Sequence, residues 1–283
     1  MASEGNSRHM TQMNIDQGKE KKAVGVNLRA SAAPVTCVCP TYGRASLLPE
    51  AVAWFMLQGY EARELWIVND APVPIRCEVP KVRVTNLPER FQTLGHKRQW
   101  MLDNVATEVV AHWDDDDWYL PWHLEEGMAA LTSGEHPFVQ LRWSFEVWGR
   151  TPEFTLPKAS QKNFDANMLF TKTAHAGLGG YWLAPISECR LILQKMKNQG
   201  LHSRYMPICG PSYAWRTANG MVHSYEHNQR NRRQDFGDGS LIWPADLTPH
   251  LEFLRQNVAP MLKDENMRAR FVQTIDNATR RFA

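Results

Sequence analysis

The chain has 283 residues, 43% of them hydrophobic and 22% charged, which is the composition of an ordinary globular protein with room for one large α/β domain and appendages. A formal net charge of +2 is too mild to demand a nucleic-acid partner. The five cysteines form no CxxC pair or metal-finger spacing, and no apolar run approaches the roughly 20 residues that cross a bilayer.

Residues 1 to 33 are polar and show no hydrophobic period, so a disordered leader is expected there, without the charged-then-apolar pattern of a secretory signal. With no disulfide pattern either, the expected location is the cytoplasm, or the host cytoplasm for a viral protein. Order is expected to begin with the strand formers Val35 to Cys39, closed by Pro40, in which Cys37 and Cys39 are packing residues. A helix is predicted over Leu47–Leu57, ending at Gly59, then a buried strand over Leu65–Val68 stopped by Asn69-Asp70-Ala71-Pro72. Lys81–Thr85 reads as a third strand and Gly95–Ala106 as a helix. Val109–Trp113 is then a strand that runs directly into Asp114-Asp115-Asp116-Asp117.

Farther on, Phe138–Trp148 alternates like one long strand, and Met168–Phe170 is a short one. Ser187–Lys197 reads as a helix, Tyr205–Trp215 contains a strand interrupted by Gly210-Pro211, and two helices follow from Thr248. Alternating strands and helices predict a mostly parallel α/β sheet, whose ligands bind beyond the carboxyl ends of the strands. Thr41-Tyr42-Gly43-Arg44, Asn69-Asp70 and Asp114–Asp117 all follow strand ends, and so describe a single site.

Four consecutive carboxylates lie within roughly 10–13 Å of contour and repel one another unless paired. A solvated loop is one reading, but Trp113, Trp118, Tyr119 and Trp122 flank the run with apolar surface. A calcium loop of the EF-hand type needs alternating ligands, a central glycine and a terminal glutamate, and that pattern is absent. The adopted reading is a metal site for a donor diphosphate. Asp114 and Asp116, two apart at a strand end, can face one side and hold Mg²⁺ or Mn²⁺.

These motifs, in this order, resemble family 2 glycosyltransferases of the GT-A fold, a Rossmann-like mixed, mostly parallel sheet flanked by helices. The likeness runs from about Val35 to Ser224. Pro40-Thr41-Tyr42-Gly43-Arg44 looks like the opening motif that lies under the nucleotide, and Asp70 is similar to the aspartate that reads a uracil-type base. Gly95-His96-Lys97-Arg98-Gln99 resembles the segment before the metal motif, and Trp113 to Trp118 the D-x-D-D signature. The resemblance implies inverting transfer of a sugar from a nucleotide-diphosphate donor, a UDP-sugar being favoured. It makes Asp116 the principal metal ligand, places Asp114 near ribose and metal with Asp115 in the same donor-contacting run, and lets His223 bind metal or diphosphate. Arg216 is a candidate diphosphate clamp because guanidinium matches phosphate geometry. Glu188 matches the acid that serves as base, with Cys189 in place of the usual partner aspartate and with Asp117 and Asp165 as reserves. Asn69 stands where many members carry a second aspartate, and Ala71-Pro72 replaces the common Gly-Ser.

The expected layout is a leader over 1–33, a transferase domain over 34–245 and a C-terminal helical extension over 246–283. The acceptor stays open between a saccharide or lipid-linked group, a protein, and DNA. For DNA, the stretch Asn228 to Gln234 with Arg268, Arg270, Arg280 and Arg281 offers basic groups, and a hydroxymethylated pyrimidine in phage DNA would supply the hydroxyl. Two other classes remain: a silent sugar-nucleotide or carbohydrate-binding module, and a nucleotidyltransferase. The latter normally opens with a Gly-rich, Lys/Arg-bearing loop that Pro40–Arg44 does not provide.

Overall fold

The computed structural model describes residues 33–133, 136–141, 144–148, 167–181, 188–205, 212–217, 241–242, 247–262 and 264–282. Its strands are β1 (Val35–Thr41), β2 (Arg63–Asn69), β3 (Arg76–Cys77), β4 (Val82–Asn86), β5 (Val109–His112), β6 (Trp118–Tyr119), β7 (Phe138–Leu141), β8 (Ser144–Trp148), β9 (Met168–Thr171), β10 (His202–Tyr205), β11 (Tyr213–Thr217) and β12 (Leu241–Ile242). The helices are α1 (Leu48–Met56), α2 (Leu94–Asn104), α3 (His123–Thr132), α4 (Lys172–Gly177), α5 (Glu188–Asn198), α6 (Leu247–Asn257) and α7 (Glu265–Phe282).

The main sheet has seven strands in the order β10-β7-β9-β5-β1-β2-β4. β5, β1, β2 and β4 are mutually parallel, and β9 runs antiparallel to both β5 and β7. Two smaller sheets, β6-β11-β8 and β12-β3, stand beside it. After β1 the chain moves outward through β2 and β4, then returns to the other side of β1 for β5. The crevice beyond β1 and β5 is therefore the point where strand order reverses, the place where open α/β sheets bind ligands.

Alternation along the central strands splits the core into two layers. Val35, Cys37, Cys39, Leu65, Ile67, Val109 and Ala111 face one side, with the apolar residues of α1, α3, α6 and α7. Val38, Trp66, Val68 and Val110 face the other, against Met101, Leu102 and Ile192 of α2 and α5. This period of two is what a sheet covered on both faces requires. The C-terminal helices belong to the first layer, where Phe271 of α7 packs at 5.9 Å on Trp54 of α1. No helix among the described residues is long and apolar enough to cross a membrane.

Pro40 does not close β1, which continues to Thr41. The Trp113 amide donates to the Val38 carbonyl, so residue 38, and with it residue 40, turns its backbone groups towards β5. β5 is no longer paired there, its register ending at Val38, and the amide that proline lacks has no partner to lose. α1 starts at Leu48 after a 3-10 turn over Ala45–Leu47, with Pro49 in its first turn, where a missing amide is harmless. Thr93 caps α2 by accepting the His96 amide at 3.1 Å.

The single strand predicted over Phe138–Trp148 is two: β7 lies in the main sheet and β8 in the sheet with β11. A period of two is the same in both sheets, so alternation cannot register the change of partner. α3, which the sequence reading left out, packs on β7 and β9, and Gly127 is what lets it approach. A Cβ there would lie 2.6 Å from Leu169 Cδ1. The buried Gln58 amide ties the end of α1 to the turn before α3. It donates to the Tyr119 carbonyl at 2.9 Å and the Leu120 carbonyl at 3.0 Å and accepts the Leu124 amide at 3.1 Å. Replacing Gln58 with Ala strands these buried groups and should cost about 2–3 kcal/mol in urea unfolding.

Two histidines give the fold an acid sensitivity. Burial lowers His123 to about 3, and burial together with the nearby Lys195 lowers His175 to about 3. The unfolded chain takes up these protons near pH ~6.5 while the folded chain refuses them, so stability is full above that pH and falls as pH drops towards the folded values. Each histidine contributes a slope of about 1.4 kcal/mol per pH unit. Urea unfolding of His175→Phe should show a dependence shallower by about that amount between roughly pH 6 and pH 4; an unchanged slope would mean that His175 titrates normally.

Candidate active site

The three polar segments expected to meet do so, because β5, β1 and β2 are adjacent and parallel. Thr41 ends β1 and leads into Tyr42, Gly43 and Arg44, with Gly43 at φ +61° providing the turn. Asn69 ends β2 and is followed by Asp70. Trp113 follows β5 and opens the aspartate run.

Of the four aspartates, Asp115 and Asp117 are buried, each at 3% exposure, and Asp114 and Asp116 are half-buried. Asp115 turns back under β1, where its carboxylate accepts Thr41 Oγ1 at 2.6 Å and Arg44 Nη1 at 2.7 Å. Burial pushes its carboxyl upward, and Arg44 and the Thr41 hydroxyl pull against that shift. Asp114, Asp116 and Asp117 each present an oxygen, and these oxygens lie within 4.8 Å of one another. Arg44 also reaches this group, its Nη1 lying 2.7 Å from Asp116 Oδ2. Burial alone would depress the guanidinium, but Asp115 and Asp116 hold it above its ordinary range.

Asp114 is fixed from two sides. Its amide donates to the Tyr119 hydroxyl oxygen at 2.7 Å, and its Oδ1 accepts Arg98 Nη2 at 2.9 Å. Tyr119 stacks on Trp113 with ring centroids 3.8 Å apart, and Trp118 Nε1 donates to Glu50 Oε1 at 2.6 Å. Trp113, Trp118 and Trp122 are fully buried, so these tryptophans are a rigid wall behind the carboxylates rather than a stacking surface.

The β2 end is equally committed. Lys97 of α2 is wholly buried and donates from Nζ to the Thr41 carbonyl and to Asp70 Oδ1, both at 2.6 Å. The other Asp70 oxygen accepts the Phe91 amide at 3.0 Å, and both members of the Lys97–Asp70 pair have side chains with 0% exposure. Burial lowers the Lys97 ammonium, against the pull of Asp70. Asn69 shapes the following turn, donating to the Val73 carbonyl and to Asn86 Oδ1, each at 2.9 Å, and accepting the Ala71 amide at 3.1 Å. Tyr42 lies beside this floor with the Arg90 guanidinium 3.8 Å from its ring centroid.

The expected site residues thus separate clearly. Pro40, Thr41, Tyr42, Arg44, Asp70, Arg98 and Asp114 to Asp117 gather at the ends of three adjoining strands. Glu188 is the first residue of α5, and its side chain lies outside the described residues. Arg216 lies on β11, two residues beyond Ala214, the register partner of Trp118; its side chain is likewise outside. His223 and Asp165 fall wholly outside the described residues. Sequence reasoning missed Lys97, His112 and Tyr181. The available signal for Lys97 was its helix: the buried face of α2 reads Gly95, Lys97, Arg98, Met101 and Leu102, with two adjacent cations where a core stripe would be apolar.

Residues 36–195, more than half of the chain, match the model of Glycosyl transferase family 2. Among solved structures, TarS 1–349 of S. aureus in complex with UDP-GlcNAc has a TM-score of 0.53 and 11% identity, over 88% of this chain and 73% of that one. The same protein in complex with UDP has a TM-score of 0.50 and 11% identity, over 86% and 71%. The mannosyltransferase PcManGT from Pyrobaculum calidifontis, in complex with GDP-Man and Mn²⁺, has a TM-score of 0.48 and 14% identity, over 89% and 74%. No curated protein sequence matches the chain. At these identities the TarS likenesses speak for the fold, and the family match supplies the rest: this chain belongs to glycosyl transferase family 2, a glycosyltransferase built on the GT-A sheet.

Proposed function

We propose that this glycosyltransferase moves a sugar from a nucleotide-diphosphate donor, a UDP-sugar being favoured, to a hydroxyl acceptor with inversion at the anomeric carbon, in a domain spanning 34–245. The observation that carries the proposal is the convergence of Asp114, Asp116 and Asp117 within 4.8 Å beyond the switch point of a parallel sheet. Carboxylate oxygens are the donors that Mg²⁺ and Mn²⁺ prefer, so the residues present fit such an ion. When bound, the ion supplies countercharge for the leaving diphosphate. Asp116 and Asp114 would hold it from the strand side, with His223 approaching from the C-terminal half and Arg216 clamping the diphosphate.

The remaining residues bind and orient. The Thr41–Arg44 loop and Asp70 form the floor under the nucleotide, and the Tyr42 ring offers the base a face. Asp70 meets a base edge only where its cover opens, because its side chain has no exposure, although the carboxylate oxygens that accept Lys97 and Phe91 can each take a second hydrogen bond. Glu188 takes the proton of the acceptor hydroxyl as that oxygen attacks the anomeric carbon and the diphosphate leaves from the opposite face. Asp117, grouped with Asp114 and Asp116, is better placed as a ligand than as the base. A saccharide acceptor is proposed ahead of DNA. Arg281 lies close enough to Glu61 and Arg63 to influence both, at the start of β2, the end of the sheet away from Asp70. The other basic stretch, Asn228 to Gln234, is outside the described residues.

TarS, a protein of this fold, is found with UDP-GlcNAc, so UDP-sugars head a thermal-shift screen run with and without Mn²⁺, followed by donor-hydrolysis and transfer assays. Stabilisation by a UDP-sugar only with metal, with turnover on a saccharide, is the expected result. Binding without any turnover would make the protein a silent donor-binding module, and turnover on hydroxymethylated DNA alone would reassign the acceptor. Asp116→Ala should lower kcat by about 10²–10³-fold with an unchanged melting temperature; full turnover in that variant would remove the metal assignment. Asp70→Asn should behave differently, because it strands the buried Lys97 charge. Urea unfolding should show a loss of about 3–5 kcal/mol, most of it recovered in Asp70→Asn/Lys97→Met. No recovery in the double variant would show that the ion pair is not what Asp70 contributes.

A further inference from the structure

Behind the donor carboxylates the chain has built a second polar layer that none of the roles above uses. His112, the last residue of β5, is completely buried between the Phe170 ring, edge-on at 5.4 Å, and the Tyr181 ring, stacked at 5.9 Å. Its Nδ1 lies 3.1 Å from Arg98 Nη1, and its Nε2 is hydrogen-bonded to the Tyr181 hydroxyl. A guanidinium nitrogen can only donate, so Nδ1 accepts, and the imidazole proton sits on Nε2 and is donated to Tyr181 Oη. The other terminal nitrogen of the same guanidinium, Nη2, holds Asp114 Oδ1 at 2.9 Å. One planar group thus has one nitrogen on the imidazole and the other on a carboxylate of the metal cluster.

Tyr181 is itself fixed. Its amide donates to Gln99 Oε1 at 2.8 Å, one residue along α2 from Arg98, and its ring rests on His175 at 4.4 Å. The preceding Gly180 has φ +75°, and a Cβ there would fall on Gln99 Oε1, so only glycine lets the turn close on the α2 side chain. α2, the end of β5 and the turn after α4 therefore meet at Arg98 with each hydrogen bond directed.

We propose that Tyr181 and His112 are positioning residues for donor binding: through Arg98 they fix the orientation of Asp114, so that the metal-binding carboxylates are preorganised before donor arrives. This rests on the reading of Asp114, Asp116 and Asp117 as the ion-holding group. Arg98 without His112 keeps its charge but loses the partner that sets its plane, and Asp114 then rotates with it. Residues that orient ligands from behind commonly change metal affinity by about 10- to 100-fold when removed.

The test uses the full chain. Mn²⁺ binding to the parent, Tyr181→Phe, His112→Leu and His112→Asn is titrated by the electron paramagnetic resonance of free Mn²⁺, and donor KM and kcat are measured at saturating metal. Tyr181→Phe should weaken Mn²⁺ binding about 10-fold and raise donor KM more than it lowers kcat. His112→Leu should do so more strongly, and His112→Asn, which keeps an acceptor for Arg98, should recover part of the loss. In the parent, long-range ¹H–¹⁵N correlation should place the His112 proton on Nε2; a proton on Nδ1 would break the chain at Arg98 and overturn the proposal. So would Mn²⁺ affinities within about twofold of the parent in Tyr181→Phe and His112→Leu, or, if the leucine variant does not fold, in Tyr181→Phe alone. A parent that binds no Mn²⁺ would instead remove the ion-holding reading, and this proposal with it, whereas parental binding with unaffected variants removes the proposal only.

Discussion

Everything at the carboxyl end of the sheet is arranged around one electrostatic constraint: four successive carboxylates cannot be packed against an apolar wall without cations to meet them. Two like charges about 4 Å apart repel by about 4 kcal/mol at the effective dielectric of a protein surface. The chain answers by alternation. Asp115 is turned to Arg44 and Thr41, which leaves Asp114, Asp116 and Asp117 to gather as a group in which Asp117 is buried and the other two are half-buried. The cations come from the two elements nearest the β5 end, the turn after β1 and the first turns of α2. Trp113, Trp118 and Tyr119 close the rear, so the loop has a single place to lie.

Much of this was legible because strand ends and hydrophobic periods are local signals. Val35, Leu65 and Val109 begin runs whose polar followers land side by side, and the order of the motifs carried the family resemblance. What was not legible depends on contacts distant in sequence. Lys97 looks like one more surface cation until α2 is laid against β1, where its Nζ bridges Thr41 and Asp70 across 56 and 27 positions. The same holds for His112 and Tyr181, which are 69 residues apart. Asp115 was read with the donor-contacting run because spacing alone cannot say which of four neighbouring carboxylates turns inward. β7 and β8 were read as one strand because alternation reports burial of a face and is silent about which neighbour is hydrogen-bonded.

The departures from the common family pattern also acquire physical reasons. Asn69 could not be exchanged for an aspartate without cost. It uses its amide hydrogens on the Val73 carbonyl and Asn86 and its oxygen on the Ala71 amide, a set that a carboxylate cannot reproduce. Asp70 is paired with a lysine that has no exposure, which makes the pair a structural pin between α2, β1 and β2 as well as part of the floor. Such a pair contributes less net stability than its short distances suggest, since both charges are desolvated. What it secures is position: the Thr41 carbonyl and Asp70 are held by the same ammonium group, so the ends of β1 and β2 are tied to one atom.

The cations already held at the aspartate run bear on how the proposed ion would enter. Lys97 is taken up by Asp70, so the aspartate run is met by Arg44 and Arg98. Arg44 touches both Asp115 and Asp116, so an ion drawn to Asp116 competes with a cation that is already anchored by the inward carboxylate. On the proposed reading, the ion would displace one hydrogen bond, that of Arg44 to Asp116, and leave the Arg44–Asp115 pair in place. The Arg44 guanidinium would then have a donor to offer the diphosphate of the proposed substrate. In this arrangement the buried Asp115 is what would let Asp116 exchange partners, because it keeps Arg44 anchored beside β1.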